Sequence, residues 1–185
     1  MAWKPGLYVA PAVILLAMSP AAAGAAPAPG ASPGTCATWV RQASPDPGHG
    51  DNNLYGVTAT SASNAWAVGE FFVGTSTDAL VEHWNGASWQ KISSPDKGSG
   101  DQLNAVYALS AADAWAVGSY ATGTVSRTLV LRWNGSAWKQ VTSPSPGTSS
   151  QLTAVRARSA GSTWAVGSFS SSGTTPSQAL ALHCC

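Results

Sequence analysis

Charged residues are scarce in this sequence, because Asp, Glu, Lys and Arg together make up only 9% of its 185 positions. The formal net charge is +1, so acidic and basic residues almost balance. Proteins that bind nucleic acids or anionic lipid surfaces present a basic patch, and this composition does not provide one. We therefore expect no nucleic-acid partner.

The sequence also lacks the motifs of common catalytic and metal centres. It contains no Gly-x-Ser-x-Gly nucleophile motif, and its carboxylates form no recurring pair of the kind that hydrolyses glycosides. His83 and His183 share one repeat position and are interpreted as rim residues. The run from His49 to Asn53 is interpreted as a polar loop rather than a calcium site, because the ligand spacing of such sites is not met. We predict no enzyme activity, no catalytic residue, no cofactor and no metal.

Residues 1–30 have the pattern of an export signal. Lys4 provides the positive start, Leu7 to Met18 an apolar stretch, and Ala21 to Ala28 the small residues of a cleavage region. An uncleaved membrane anchor is the alternative, disfavoured because the apolar stretch is short and contains Pro11. We expect a short linker over 31–35 and a secreted protein, in the medium or at the cell surface, with no stable membrane insertion after cleavage.

A five-residue phrase recurs three times in the remaining chain. It reads AWAVG at 65–69, AWAVG at 114–118 and TWAVG at 163–167, so the copies lie 49 residues apart. A period near 50 residues is typical of four short strands with their turns, the size of one β-propeller blade. The fold class predicted for region 36–185 is therefore all-β, built of four-stranded antiparallel blades.

The middle copy defines the predicted blade most clearly. Four strands, called a to d, are predicted at 103–109, 114–118, 128–133 and 137–141, with an Asn-Gly hairpin turn at 134–135. Alternation along strand b places Trp115 and Val117 on one face and Ala114 and Ala116 on the other. A large face and a small face let neighbouring sheets interlock.

The other copies have the same order of elements. We predict a lone strand d at 37–43, blade one at 54–93, blade two at 103–142 and an incomplete blade three at 152–185. The tryptophans at repeat positions are interpreted as packing between sheets rather than as a ligand platform. They are Trp39, Trp66, Trp84, Trp89, Trp115, Trp133, Trp138 and Trp164.

The phrase AWAVG, followed by His83-Trp84-Asn85-Gly86-Ala87-Ser88-Trp89, resembles the Trp-rich blades of secreted bacterial kelch-like propeller proteins. The central propeller of galactose oxidase is a more distant likeness. The resemblance covers residues 36–185 and implies a propeller architecture. It implies no activity, since no Tyr, Cys and His set here matches the copper ligands of galactose oxidase.

The two ends of the repeat region are predicted to complement each other, because blade three lacks strand d and the strand at 37–43 lacks a blade. Three blades are fewer than the usual four to eight. Either more blades follow, or two chains pair as a six-bladed homodimer. We expect a disulfide between Cys36 and either Cys184 or Cys185. A truncated or frameshifted reading frame is the alternative explanation of the Cys-Cys end.

The function predicted from these patterns is a secreted, non-enzymatic binding module for an extracellular glycan, peptide or protein. Variable segments at 71–77 and 121–126 are the predicted binding loops. The alternatives are a fragment of a larger extracellular propeller enzyme, such as a glycoside hydrolase or lyase, and a structural role in a surface array.

Overall fold

The computed structural model describes residues 38–171 and 176–184. These residues form eleven strands and no helix, which confirms the all-β prediction, and they include no helix that could span a membrane. Residues 1–40 and 41–185 are two separate units. The strands lie in the second unit: β1 Asn52–Ser61, β2 Asn64–Val73, β3 Ser76–Trp84, β4 Trp89–Lys91, β5 Gln102–Ser110, β6 Asp113–Thr122, β7 Val125–Trp133, β8 Trp138–Gln140, β9 Ser149–Ser159, β10 Ser162–Ser170 and β11 Gln178–Cys184.

The strands pair as antiparallel meanders. Blade one is β1-β2-β3-β4 and blade two is β5-β6-β7-β8, each in sequence order. Blade three is β9-β10-β11 and is joined to blade two by a single parallel bridge between Ser126 and Ser149. A parallel bridge between Thr77 and Gly100, 49 residues earlier, joins blade one to the start of blade two. The blades follow one another without closing a ring.

The turn between the third and fourth strands is fixed by its Asn-Gly pair. Asn134 accepts hydrogen bonds at Oδ1 from the backbone N–H groups of Ser136 and Ala137, at 3.1 and 3.0 Å. Gly135 has φ 92°, a left-handed conformation that glycine adopts without steric strain. Asn85 and Gly86 form the same turn in blade one.

The final glycine of the repeated phrase is required by close backbone approach. A side-chain atom on Gly118 would overlap the carbonyl oxygen of Gln102 in the neighbouring strand, and the pairing register shifts beside it. In the other two blades Gly69 faces the carbonyl oxygen of Asn53, and Gly167 faces that of Gln151. The AWAVG phrase therefore ends in glycine because the first strand of each blade passes too close for any side chain.

The core lies between blades, where a large face meets a small face. Trp66 and Val68 of blade one share a buried cluster with Ala114 and Ala116 of blade two. On the opposite side of blade two, Trp115 and Val117 pack in the same way against blade three, including Ala165. The predicted division of strand b into large and small faces is what holds the sheets together.

Three indole rings anchor the interface between blades one and two. The Trp66 ring centroid lies 4.9 Å from that of Trp133 and 5.1 Å from that of Trp138, the second pair at 88°. The Trp66–Trp133 pair is tilted at 55°, and the Trp66–Trp138 pair is edge-to-face. Aromatic pairs of this kind add about 0.5–1.5 kcal/mol each beyond the area that they bury. Trp66 is only 1% exposed.

The predicted packing role fits most repeat tryptophans but not Trp39 or Trp164. Trp66, Trp115 and Trp138 are buried, and Trp84, Trp89 and Trp133 are half-buried. Trp164 is 52% exposed because no further sheet among the described residues covers its side of blade three.

The predicted strand at 37–43 is not formed over its described part, since residues 38–47 contain no strand. Position 37 lies outside the described residues. Trp39 is 98% exposed. An isolated strand needs a partner edge to satisfy its backbone groups, and the repeat pattern alone does not provide one.

The two segments predicted to be binding loops are hairpins rather than loops. Segments 71–77 and 121–126 are mostly strand, closed by tight two-residue turns that begin at Gly74 (φ 64°) and Gly123 (φ 62°). Their Gly and Thr content reflects hairpin geometry rather than long variable loops.

Replacing Trp66 with alanine should lower the free energy of unfolding by about 3–5 kcal/mol, because a fully buried indole and its two ring contacts are lost. Trp164→Ala is the matched control and should lower it by about 1 kcal/mol or less in dilute protein. Urea titration followed by circular dichroism measures both. Equal losses in the two variants would contradict the packing described above.

Candidate functional site

A groove lies between blades two and three, with a volume of about 320 Å³. Its apolar lining comes from Trp115, Val117, Val130 and Leu182, and its polar lining includes Thr163, Ser143 and Cys184. We call this cavity the interblade groove. It lies on the side of blade two that faces blade three.

Blade three differs from blade two in two ways that leave the groove open, and the first is a single aligned position. Thr163 pairs with Cys184 across β10 and β11, as Ala114 pairs with Trp133 across β6 and β7. Cys184 therefore stands where the preceding blade has a tryptophan. Trp133 packs on Trp66 of the preceding blade, and Cys184 is the residue that would pack on Trp115 in the same way. The thiol is much smaller than an indole ring, so it leaves space beside Trp115.

The second difference concerns the fourth strand of the blade, which blades one and two have and which blade three lacks among the described residues. At the interface between blades one and two, Trp138 of β8 packs on Trp66. Among the described residues, β11 pairs only with β10, whereas β3 and β7 also pair with β4 and β8. One edge of β11 thus presents unpaired backbone N–H and C=O groups beside the groove.

A polar residue covers the tryptophan of each blade. Arg132 binds Asp113 through two hydrogen bonds of 3.0 and 3.2 Å, and its guanidinium lies 5.1 Å from the Trp115 ring centroid. The hydrogen bond that Arg132 donates to Asp113 raises the pKa of Arg132. This ion pair therefore fixes a cation on the face of Trp115.

The two histidines at the equivalent position do the same in the other blades. His83 Nε2 lies 2.7 Å from Asn64 Oδ1, and its ring centroid is 4.4 Å from that of Trp66. His183 stacks on Trp164 at 4.2 Å with an interplanar angle of 21°. Burial lowers the pKa of His83. The prediction of rim residues thus missed a specific contact, although the pairing of position 64 with 83 and of 113 with 132 was readable by comparing the copies.

The remaining predicted candidates do not form a site together. The predicted polar loop at 49–53 ends earlier than expected, because Asn52 begins β1. Asn52 accepts a 2.9 Å hydrogen bond from the Gly48 N–H and donates one of 3.0 Å to the Gly50 carbonyl. No group of three or more His, Cys, Asp or Glu residues in ranges 38–171 and 176–184 is placed to hold a metal.

The predicted disulfide is not tested by the structure. Cys184 is exposed and carries no bridge to another described residue. Cys36 and Cys185 lie outside the described residues.

Two buried carboxyl groups were not singled out by sequence reasoning. Glu82 is fully buried on the small face of blade one, and its Oε2 accepts a hydrogen bond of 2.7 Å from Ser44 while Oε1 has no partner among the described residues. Burial raises the pKa of Glu82, and the nearby Asp46 adds to the increase. Burial also raises the pKa of Asp101, whose Oδ2 accepts a 2.6 Å bond from the backbone of Lys97. Comparison of the repeat copies could have indicated a buried position for Glu82, since the other copies have Leu131 and Leu182 there.

Comparison with known proteins gives no family assignment: no family model and no curated protein sequence matches the chain. The kelch-like resemblance stays a prediction. Any functional conclusion must come from the geometry of the described residues.

The buried Glu82 carboxyl should make stability fall as pH rises above about 4.5, the ordinary pKa of this group. Its pKa is raised in the folded state, so the folded protein holds the proton longer than the unfolded chain and loses stability once that proton dissociates. Glu82→Gln removes this dependence. The melting temperature of the variant minus that of the parent should therefore increase from pH 4 to pH 7.

Glu70→Gln is the matched control for this measurement, because the Glu70 carboxylate bonds Tyr55 at the surface and is not enclosed by the fold. A melting-temperature difference for Glu82→Gln that stays constant across the pH range would contradict the assignment of a buried, charged carboxylate.

Proposed function

We propose that this chain is a secreted, non-enzymatic interaction module of the propeller type that binds an extended polypeptide. The polypeptide pairs with the open edge of β11 and inserts one aromatic or large aliphatic side chain into the interblade groove beside Trp115. The observation that carries the proposal is the coincidence of these two features on one strand, since Leu182 and Cys184 of β11 also line the groove.

The two features supply different parts of recognition. Strand addition gives backbone hydrogen bonds that do not depend on sequence, and a pocket beside the edge selects a side chain. An aromatic side chain buries about 150–250 Å², which at about 25 cal/mol per Å² is roughly 4–6 kcal/mol before the entropy of association is subtracted. A short peptide should therefore bind in the micromolar range or more weakly.

The chemistry of the groove favours a polypeptide over a glycan. Sugars are recognised by stacking on an exposed aromatic face and by many polar groups, but Trp115 is buried and Arg132 lies over its ring. The side chains around the cavity are chiefly aliphatic. Thr163 provides one buried hydroxyl without a hydrogen-bond partner among the described residues, which could bond a ligand.

A labelled peptide with the sequence of residues 135–143 is the direct probe, because it contains the strand that pairs at the equivalent edge in blade two. We expect the chain to bind it in dilute solution, as measured by fluorescence anisotropy. Leu182→Trp should weaken binding at least about tenfold, because the new indole fills the groove.

Two controls accompany the measurement. Ala181→Trp places the same side chain on the opposite face of β11 and should leave peptide binding unchanged. The same peptide with its tryptophan replaced by serine should bind at least about tenfold more weakly. Equal affinity of Leu182→Trp and the parent would contradict the groove as the binding site.

A further inference from the structure

The sequence that would fit the interblade groove is present in this chain. Residues 38–42 read TWVRQ and align with 137–141, AWKQV, which contains β8. The next residues, SPDPG at 44–48, align with SPSPG at 143–147. Trp39 thus corresponds to Trp138, the residue that packs on the tryptophan of the preceding blade.

The two tryptophans have opposite environments. Trp138 is 3% exposed, lies opposite Trp133 across the β7–β8 pair and packs edge-on to Trp66. Trp39 is 98% exposed and the adjacent Val40 is 74% exposed. The same local sequence is therefore buried where a strand edge receives it and exposed where none does.

We propose that the polypeptide bound in the interblade groove is the segment 38–42 of a second copy of this chain. In the register of blade two, Trp39 of the second copy lies opposite Cys184 and against Trp115, and Val40 lies opposite His183. The segment becomes the fourth strand of blade three. This inference rests on the proposed function, because it names the occupant of the same groove.

The position of Ser44 points to a second copy rather than to the same chain. Ser44 is bonded to Glu82 on the small face of blade one, and two sheets separate that face from the groove between blades two and three. Trp39 precedes Ser44 by five residues, a span of at most roughly 18 Å. Within one copy the segment would have to pass around the edges of both sheets.

Sedimentation velocity of the purified chain over a concentration series tests the pairing. We expect a dimer, and Trp39→Ala should raise its dissociation constant by about 30-fold or more, the effect of losing a central indole anchor. Val73→Ala removes an exposed apolar side chain at a hairpin end and should change nothing.

Cysteine crosslinking tests the register without removing Trp39. In a background with Cys36→Ser, Cys184→Ser and Cys185→Ser, the double variant Val40→Cys with His183→Cys should give a covalent dimer on a non-reducing gel. Val73→Cys with His183→Cys is the control and should give none. A bridge within one chain would overturn the second-copy proposal and indicate that the segment closes on its own blade.

Failure of this inference can be told apart from failure of the proposed function. If the chain stays monomeric at all concentrations, or if Trp39→Ala dimerises like the parent, the second copy is not the occupant. The peptide probe is then still decisive for the groove, because its binding and its loss in Leu182→Trp are measured on dilute protein. A Trp39→Ala chain that binds the probe normally but no longer dimerises supports both the groove and its occupation by Trp39 in the parent dimer.

Discussion

The packing of one tryptophan per sheet against the small residues of the next sheet is the contact on which this structure depends. A single four-stranded blade has two apolar faces and cannot bury either alone. Trp66 and Trp115 solve this in the same way, each lying over alanines and framed by residues of the following blade. The glycine that ends each AWAVG phrase lets the first strand pass close to the second. The residues of the repeated phrase thus form the contacts between blades, and the strands hold them in place.

The polar residues beside these tryptophans have a common arrangement in blades one and two. Positions 83 and 132 carry different side chains, yet each covers the blade's tryptophan and bonds the residue at the start of the second strand. The pair is Asn64 with His83 in one blade and Asp113 with Arg132 in the next. In these two blades the polar side chain over the tryptophan has a hydrogen-bonding partner, as a group shielded from water requires. Blade three keeps a histidine, His183, but has Ser162 at the partner position.

Local signals in the sequence predicted most of the fold, and non-local partners decided the rest. The hairpin turn at Asn134 and the faces of strand b were predictable because turn chemistry and alternation act within a few residues. The hairpin between β6 and β7 was mistaken for a loop, since Gly and Thr residues are common to both. The exposure of Trp39 and Trp164 could not be predicted from the repeat, because a side chain is buried only where a neighbouring sheet covers it, and the repeat pattern does not say where that sheet lies. The groove was partly visible, as Cys184 aligns with Trp84 and Trp133, but its size depends on how far two sheets approach.

The unlike faces of each blade give the whole array a direction. Copies can be added only with the tryptophan side of one toward the alanine side of the next, as in a row of identical wedges. The taper of the wedge, set by the bulk of an indole against that of a methyl group, determines how much each addition turns. A taper that brings the ends together gives a finite ring, and a slightly smaller one gives an open helix that grows without limit. The relative bulk of the side chains on the two faces of a blade is therefore one of the quantities that decide whether such an array closes.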